Sequence, residues 1–133
     1  MDWIVSKTGW KIKKAPTISF ATPAQLNKMQ FGKTGGSNGI TCKALYKKVD
    51  QTVCLSTTWS PGDLRDRSYL IHELVHHLQN LNEVEGACEG AREMQAYKLQ
   101  FDWLGEQGIR DPQEFLGISN MVFGGRSYSN RML

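Results

Sequence analysis

Ser60-Pro61-Gly62-Asp63-Leu64-Arg65-Asp66-Arg67-Ser68-Tyr69-Leu70-Ile71-His72-Glu73-Leu74-Val75-His76-His77-Leu78-Gln79-Asn80-Leu81 is the stretch on which the fold turns. Ser60-Pro61-Gly62 breaks the preceding element and Asp63 supplies an N-cap. Leu64, Ile71, Leu74, Val75, Leu78 and Leu81 then recur at helical spacing, which predicts a helix from about 63 to 81 with one apolar face. All three histidines of the chain fall in its middle, inside His72-Glu73-Leu74-Val75-His76-His77. Residues i and i+4 share a helix face, about 6 Å apart, so the imidazoles of His72 and His76 can converge on one zinc ion. Glu73 lies about 100° around the same turn, outside the ligand set but within reach of a water on the ion. Two neutral donors would hold the metal while the adjacent carboxylate takes a proton from that water. His77 points about 100° from His76 and does not share its ion.

A catalytic zinc site uses three protein ligands and keeps one position open, so a further donor is needed. The candidates are Glu83, Glu85, Glu89, Glu93, His77 and Cys54. A polar joint, Asn82 to Glu85, leads into a second helical stretch from Ala87 to Leu104, with Gly105 as its stop. If the two helices pack antiparallel about that joint, the midpoint of the histidine pair lies about 10 Å before it along the axis. Glu93 lies about as far after it, Glu89 sits one turn nearer the joint, and Glu83 and Glu85 belong to the joint itself. Glu93 is therefore the preferred third ligand and Glu89 the runner-up.

Upstream, Ile40 to Lys48 and Gln51 to Trp59 are rich in Thr, Val, Tyr and Trp around a Val49-Asp50 turn, which predicts a hairpin. Val53, Leu55 and Thr57 alternate with Cys54, Ser56 and Thr58, the period of a strand with one face on a core. Thr17 to Ala21 reads as a further short strand, and Thr22-Pro23 starts a helix through about Met29. Gly32 to Gly39 holds four glycines and reads as a loop. Asp111-Pro112 caps a last short helix through about Phe115, followed by a Gly-Gly tail. Gly86 and Gly90, with Ala87 and Ala91, form a small face suited to close packing of the second long helix on the first.

His72-Glu73-Leu74-Val75-His76 followed by Glu93-Met94-Gln95-Ala96-Tyr97 resembles the gluzincin branch of zinc metallopeptidases, in which HExxH is joined by a glutamate from the next helix, written ExxxD or ExxA. The match covers about residues 50 to 104 and is similar to the mini-gluzincins. It is also similar to small uncharacterised bacterial and phage proteins reading HELVHHLQ and then ExxAYxxQxxWL, here His72 to Gln79 and Glu93 to Leu104. Tyr97 stands where ExxxD has the aspartate that orients a zinc-binding histidine, so Tyr97, Glu89 or a backbone carbonyl would take that task. The resemblance implies an α+β fold: a small β-sheet, hairpin plus short strand, packed on a zincin-like active-site helix with a glutamate-bearing helix beside it. It implies a peptidase whose ligands are His72, His76 and Glu93, with Glu73 as general base and Zn2+ as cofactor. It also implies an extended peptide or protein substrate bound by main-chain pairing along Gln51 to Trp59. Tyr97, His77, Tyr128 and Arg126 are the groups available to stabilise an oxyanion. Cys54 resembles the cysteine ligand of peptide deformylases, but Val53 replaces the glycine expected before it.

The chain has 133 residues, 40% hydrophobic and 22% charged, enough to fold around one core, and is read as a single zincin-like domain over residues 1–133. No segment has the apolar length of a membrane span, and the start lacks the pattern of a signal peptide, which favours the cytoplasm. Up to Trp59 there are nine Lys against two Asp; beyond it, seven Lys and Arg stand against eleven Asp and Glu. The basic front half allows a rival reading, a catalytically silent zinc-stabilised module contacting an acidic partner. Nothing in it matches a phosphate-binding loop or predicts a nucleic-acid partner. Cys42, Cys54 and Cys88 lack CxxC spacing, so neither a zinc ribbon nor a dense disulfide framework is expected.

Overall fold

The structure, a computed structural model, describes residues 1–12, 14–31, 43–82, 89–118, 122–123 and 126–127, with residues 30, 31, 89, 122, 123, 126 and 127 described by their backbone alone. The fold is α+β. In chain order the elements are α1 (Asp2–Thr8), β1 (Thr17–Ala21), α2 (Pro23–Phe31), β2 (Ala44–Lys47), β3 (Thr52–Ser56), α3 (Leu64–Leu81), α4 (Glu89–Glu106), α5 (Pro112–Phe115), β4 (Val122–Phe123) and β5 (Arg126–Ser127). No helix among the described residues is long and apolar enough to cross a membrane.

Local hydrogen-bond chemistry places the helix starts. Thr22 Oγ1 accepts from Gln25 N–H while the Gln25 side chain accepts from Thr22 N–H, a reciprocal cap ahead of Pro23 at the first helical position. Asp63 accepts from Asp66 N–H at the head of α3, and Asp111 from Glu114 N–H at the head of α5. At the other end of α4 the stop differs from expectation. Gly105 lies inside the last turn, and the left-handed residue is Gly108, at φ 95°, because Ile109 N–H closes back on Leu104 C=O only when the chain reverses there.

The sheet has the order β1-β3-β2, with β1 parallel and β2 antiparallel to β3. The hairpin turn ends at Gln51, whose φ of 53° lies in the left-handed region. Central placement of β3 corrects two expectations. Its main chain is used on both sides within the sheet, so Thr52–Ser56 offers no edge for a further strand, and the strands at the margins are β1 and β2. Val53, Cys54, Leu55 and Ser56 are all buried, on both faces, where a strand with one buried face was expected.

Val53 and Leu55 meet Leu74, Val75 and Leu78 of α3, with Ala96 and Leu99 of α4 and Ile4 of α1 completing the core. Helix α1 was not read from the sequence. Seven residues with β-branched Ile4 and Val5 form a weak helix alone, and burial of Ile4 in the core holds it there. Asp66 stitches the head of α3 to the sheet: its carboxylate accepts from Ser60 N–H at 2.9 Å and faces Lys43 Nζ at 3.5 Å, and its carbonyl accepts from Trp59 Nε1 at 2.6 Å. Helix α3 is thereby fixed in register beneath β2 and β3.

Candidate metal centre

Helices α3 and α4 run antiparallel, and their polar contacts step in opposite directions along the two chains. Gln100 meets Ser68 and His72, Glu93 meets His72 and His76, and Arg92 and Gln95 meet Gln79. One helical turn separates His72 from His76 and brings their ring centroids to 4.9 Å. Glu93 enters between them. Its Oε1 lies 2.6 Å from His72 Nε2 and 3.3 Å from His76 Nε2. One ligand atom from each of the three residues lies within 4.8 Å of the others, a spacing that can surround one ion.

Glu73 sits on the same helix, its carboxylate facing the main chain of Tyr46 in β2. Tyr97 places its ring edge-on to His72, centroids 4.4 Å apart. Each imidazole also meets a glutamine that the sequence reading passed over. Gln100 Oε1 takes His72 Nδ1–H and Gln79 Oε1 takes His76 Nδ1–H, each at 2.9 Å. Their spacing was the available signal: Gln79 lies three residues after His76 and Gln100 seven after Glu93, each on its ligand's helix face.

The remaining candidates lie elsewhere or outside the described residues. His77 is fully buried, with Nε2 donating to Lys14 C=O at 2.7 Å and Nδ1 accepting from the Tyr46 hydroxyl at 2.8 Å, so neither nitrogen is left for an ion or an oxyanion. Cys54 is a free, buried thiol that accepts from Ser19 Oγ, and strand alternation turns it away from Val53 and Leu55 and hence from α3. Gly90 and Ala91 are exposed and do not pack on α3. Glu83, Glu85, Gly86, Ala87, Cys42, Cys88, Tyr128 and the Gly32 to Gly39 loop lie outside the described residues, as do the side chains of Glu89 and Arg126.

A family model with the description "Domain of unknown function (DUF6647)" matches residues 1–121. The chain belongs to the DUF6647 family. That match spans the sheet and both site helices. No curated protein and no solved structure matches it.

The electrostatics of this DUF6647 chain follow from burial set against the charges brought together. Burial disfavours the His76 imidazolium, but the hydrogen bond and charge of Glu93 and the charge of Glu73 outweigh it and raise His76 to about 9. Burial likewise pushes Glu93 up, and the two histidines overcome it, holding its carboxyl well below the usual carboxylate range. Glu73 is raised, chiefly by burial and in part by Glu93, against the pull of His72 and His76. Tyr97 is pushed up to about 12 by burial and then by Glu93 and Glu73, so its hydroxyl keeps its proton.

Proposed function

We propose that this DUF6647 chain is a zinc-dependent metallopeptidase of gluzincin type, with His72, His76 and Glu93 as metal ligands and Glu73 as general base. One observation carries the reading: two imidazole nitrogens and a carboxylate converge within 4.8 Å while each imidazole has already given its Nδ1–H to a glutamine. Three groups in their acceptor forms repel one another unless a cation lies among them. In the metal-free chain a proton serves, which is why His76 is raised to about 9. Two imidazoles and one carboxylate are the donor set of a catalytic zinc, which takes three protein ligands.

Bound there, zinc would polarise a scissile carbonyl and lower the pKa of a water toward 7. Glu73 accepts the proton at its carboxylate and hands it to the leaving amine. Burial suits it to this by making it more basic than a solvated glutamate. Tyr97 retains its phenolic proton and lies beside His72, which makes it the described candidate for donating to a developing oxyanion. With β3 enclosed in the sheet, an extended peptide reaching Glu73 passes β2 and not Gln51 to Trp59.

Metal analysis of the purified chain should give about one zinc per molecule. Glu73→Gln should retain that zinc and lose peptide hydrolysis by about 10²–10⁴-fold in kcat. Absence of zinc in the wild-type chain would end the reading. Zinc bound with equal absence of cleavage in both forms, across a peptide library run with and without chelator, would leave the silent zinc-stabilised module in its place.

A further inference from the structure

We propose that Gln100 and Gln79 are the positioning residues of this centre, each holding the Nδ1–H of its imidazole so that Nε2, the nitrogen facing Glu93, is the one offered to a metal. The inference rests on the zinc reading and concerns how the site is held ready. A neutral histidine carries one ring proton, on Nδ1 or on Nε2, and only the first form presents Nε2 as a ligand. An amide can present either its carbonyl or its NH2 to the ring, so by itself a glutamine selects nothing. Here each amide is held by further bonds that leave it no choice.

On the His72 side, Ser68 Oγ donates its proton to Arg65 C=O at 2.7 Å and can therefore only accept from Gln100. Gln100 presents Nε2 to that hydroxyl at 3.0 Å, which turns Oε1 toward His72 Nδ1. Gln100 is 1% exposed and Ser68 fully buried, so no water competes for these groups. On the His76 side, Gln79 Nε2 donates to Arg92 C=O at 3.1 Å and to Gln95 Oε1 at 2.9 Å, both acceptors in this arrangement. Gln79 Oε1 is then the atom that meets His76 Nδ1–H. The backbone carbonyls of Arg65 and Arg92, which can only accept, thus set the direction of both chains. Because Arg92 precedes Glu93, the Gln79 bond also ties the position of His76 to the backbone that carries the third ligand. A carboxylate in place of Gln100 would accept the same proton but add a buried negative charge, which the amide avoids.

The test is zinc affinity, by competition with a chromogenic chelator, and the visible spectrum of the cobalt(II)-loaded chain, in wild type, Gln100→Met, Gln100→Glu, Gln79→Met and Ser68→Ala. Gln100→Met and Gln79→Met should each weaken zinc by about 10–100-fold and alter the cobalt bands. Gln100→Glu should stay within a few-fold of wild type, because it keeps the acceptor for Nδ1–H. Ser68→Ala, which hardly disturbs packing, should fall between, since the freed amide can turn over. If a glutamine variant is unfolded by far-ultraviolet circular dichroism, the Ser68→Ala result decides. Wild-type affinity and spectrum in Ser68→Ala and in every folded methionine variant would overturn the proposal while leaving the metal reading standing. A wild-type chain that takes up neither zinc nor cobalt would overturn the metal reading itself, and this inference with it.

Discussion

His76 and His77 are neighbours in sequence on one helix, yet they sit in opposite electrostatic situations. His77 faces the sheet and is saturated: Lys14 C=O takes its Nε2–H, the Tyr46 hydroxyl donates to Nδ1, and Asn80 in turn donates to the Tyr46 oxygen at 3.2 Å. His76 faces α4 and meets an acceptor on each side, Gln79 Oε1 at Nδ1 and the Glu93 carboxylate at Nε2. What separates the structural histidine from the proposed metal ligand is therefore the character of the partners: His77 meets one donor and one acceptor, His76 two acceptors. Burial does not separate them, since His72, on the ligand side, is buried as well.

The sharpest break of that comparison is to truncate each neighbour. His76→Ala should weaken zinc by about a hundredfold or more and abolish hydrolysis, with the chain still folded. His77→Ala should bind zinc but lose about 2–4 kcal/mol of stability in chemical denaturation, from the cavity and the orphaned Tyr46 and Lys14 groups. Loss of zinc in both would merge the two roles. On the ligand side alone, Glu93→Ala should weaken zinc far more than Glu89→Ala in the same competition assay, and the reverse order would move the third ligand one turn toward the joint.

A pH series sharpens the contrast further. The raised His76 stabilises the metal-free fold fully below its unfolded pKa near 6.5, and that stability is lost as the pH climbs through about 9. Glu73, also raised, brings a loss of its own that starts above the ordinary carboxylate range. The melting temperature of the metal-free chain should therefore drop between pH 6.5 and 9, and zinc affinity should rise across the same interval by up to about tenfold per unit as the competing proton leaves. Replacing His76 should flatten both slopes. The smallest effect is expected from Tyr46→Phe, which leaves His77 Nδ1 without its donor at a cost of about 1–3 kcal/mol and zinc uptake unchanged, because the contact to Glu73 uses the Tyr46 backbone.

What could be read in advance was local. Asp63, Thr22 and Asp111 announce helix starts through bonds spanning three residues, and the i, i+4 spacing of His72 and His76 announces a shared face. Glu93 followed from helix geometry once an antiparallel turn was assumed. The features that escaped depend on distant partners. Strand order decides that β3 is central, and that order rests on a parallel pairing no turn signal encodes. Helix α1 exists through the burial of Ile4, and Gln79 and Gln100 look like surface residues until their acceptors are in place. The glycine that ends α4 was misplaced by three residues because reversal is set by which carbonyl the following N–H reaches.

The parallel pairing of β1 with β3 also bears on how the chain reaches this state. Thr17 lies opposite Thr52, so joining them closes a loop of about 35 residues, whereas the β2–β3 hairpin closes across a four-residue turn and α3 and α4 follow each other directly. The order this predicts is hairpin and helix pair first, β1 last. The three proposed ligands all belong to the helix pair, so on the zinc reading a metal would be captured during folding, ahead of the final strand.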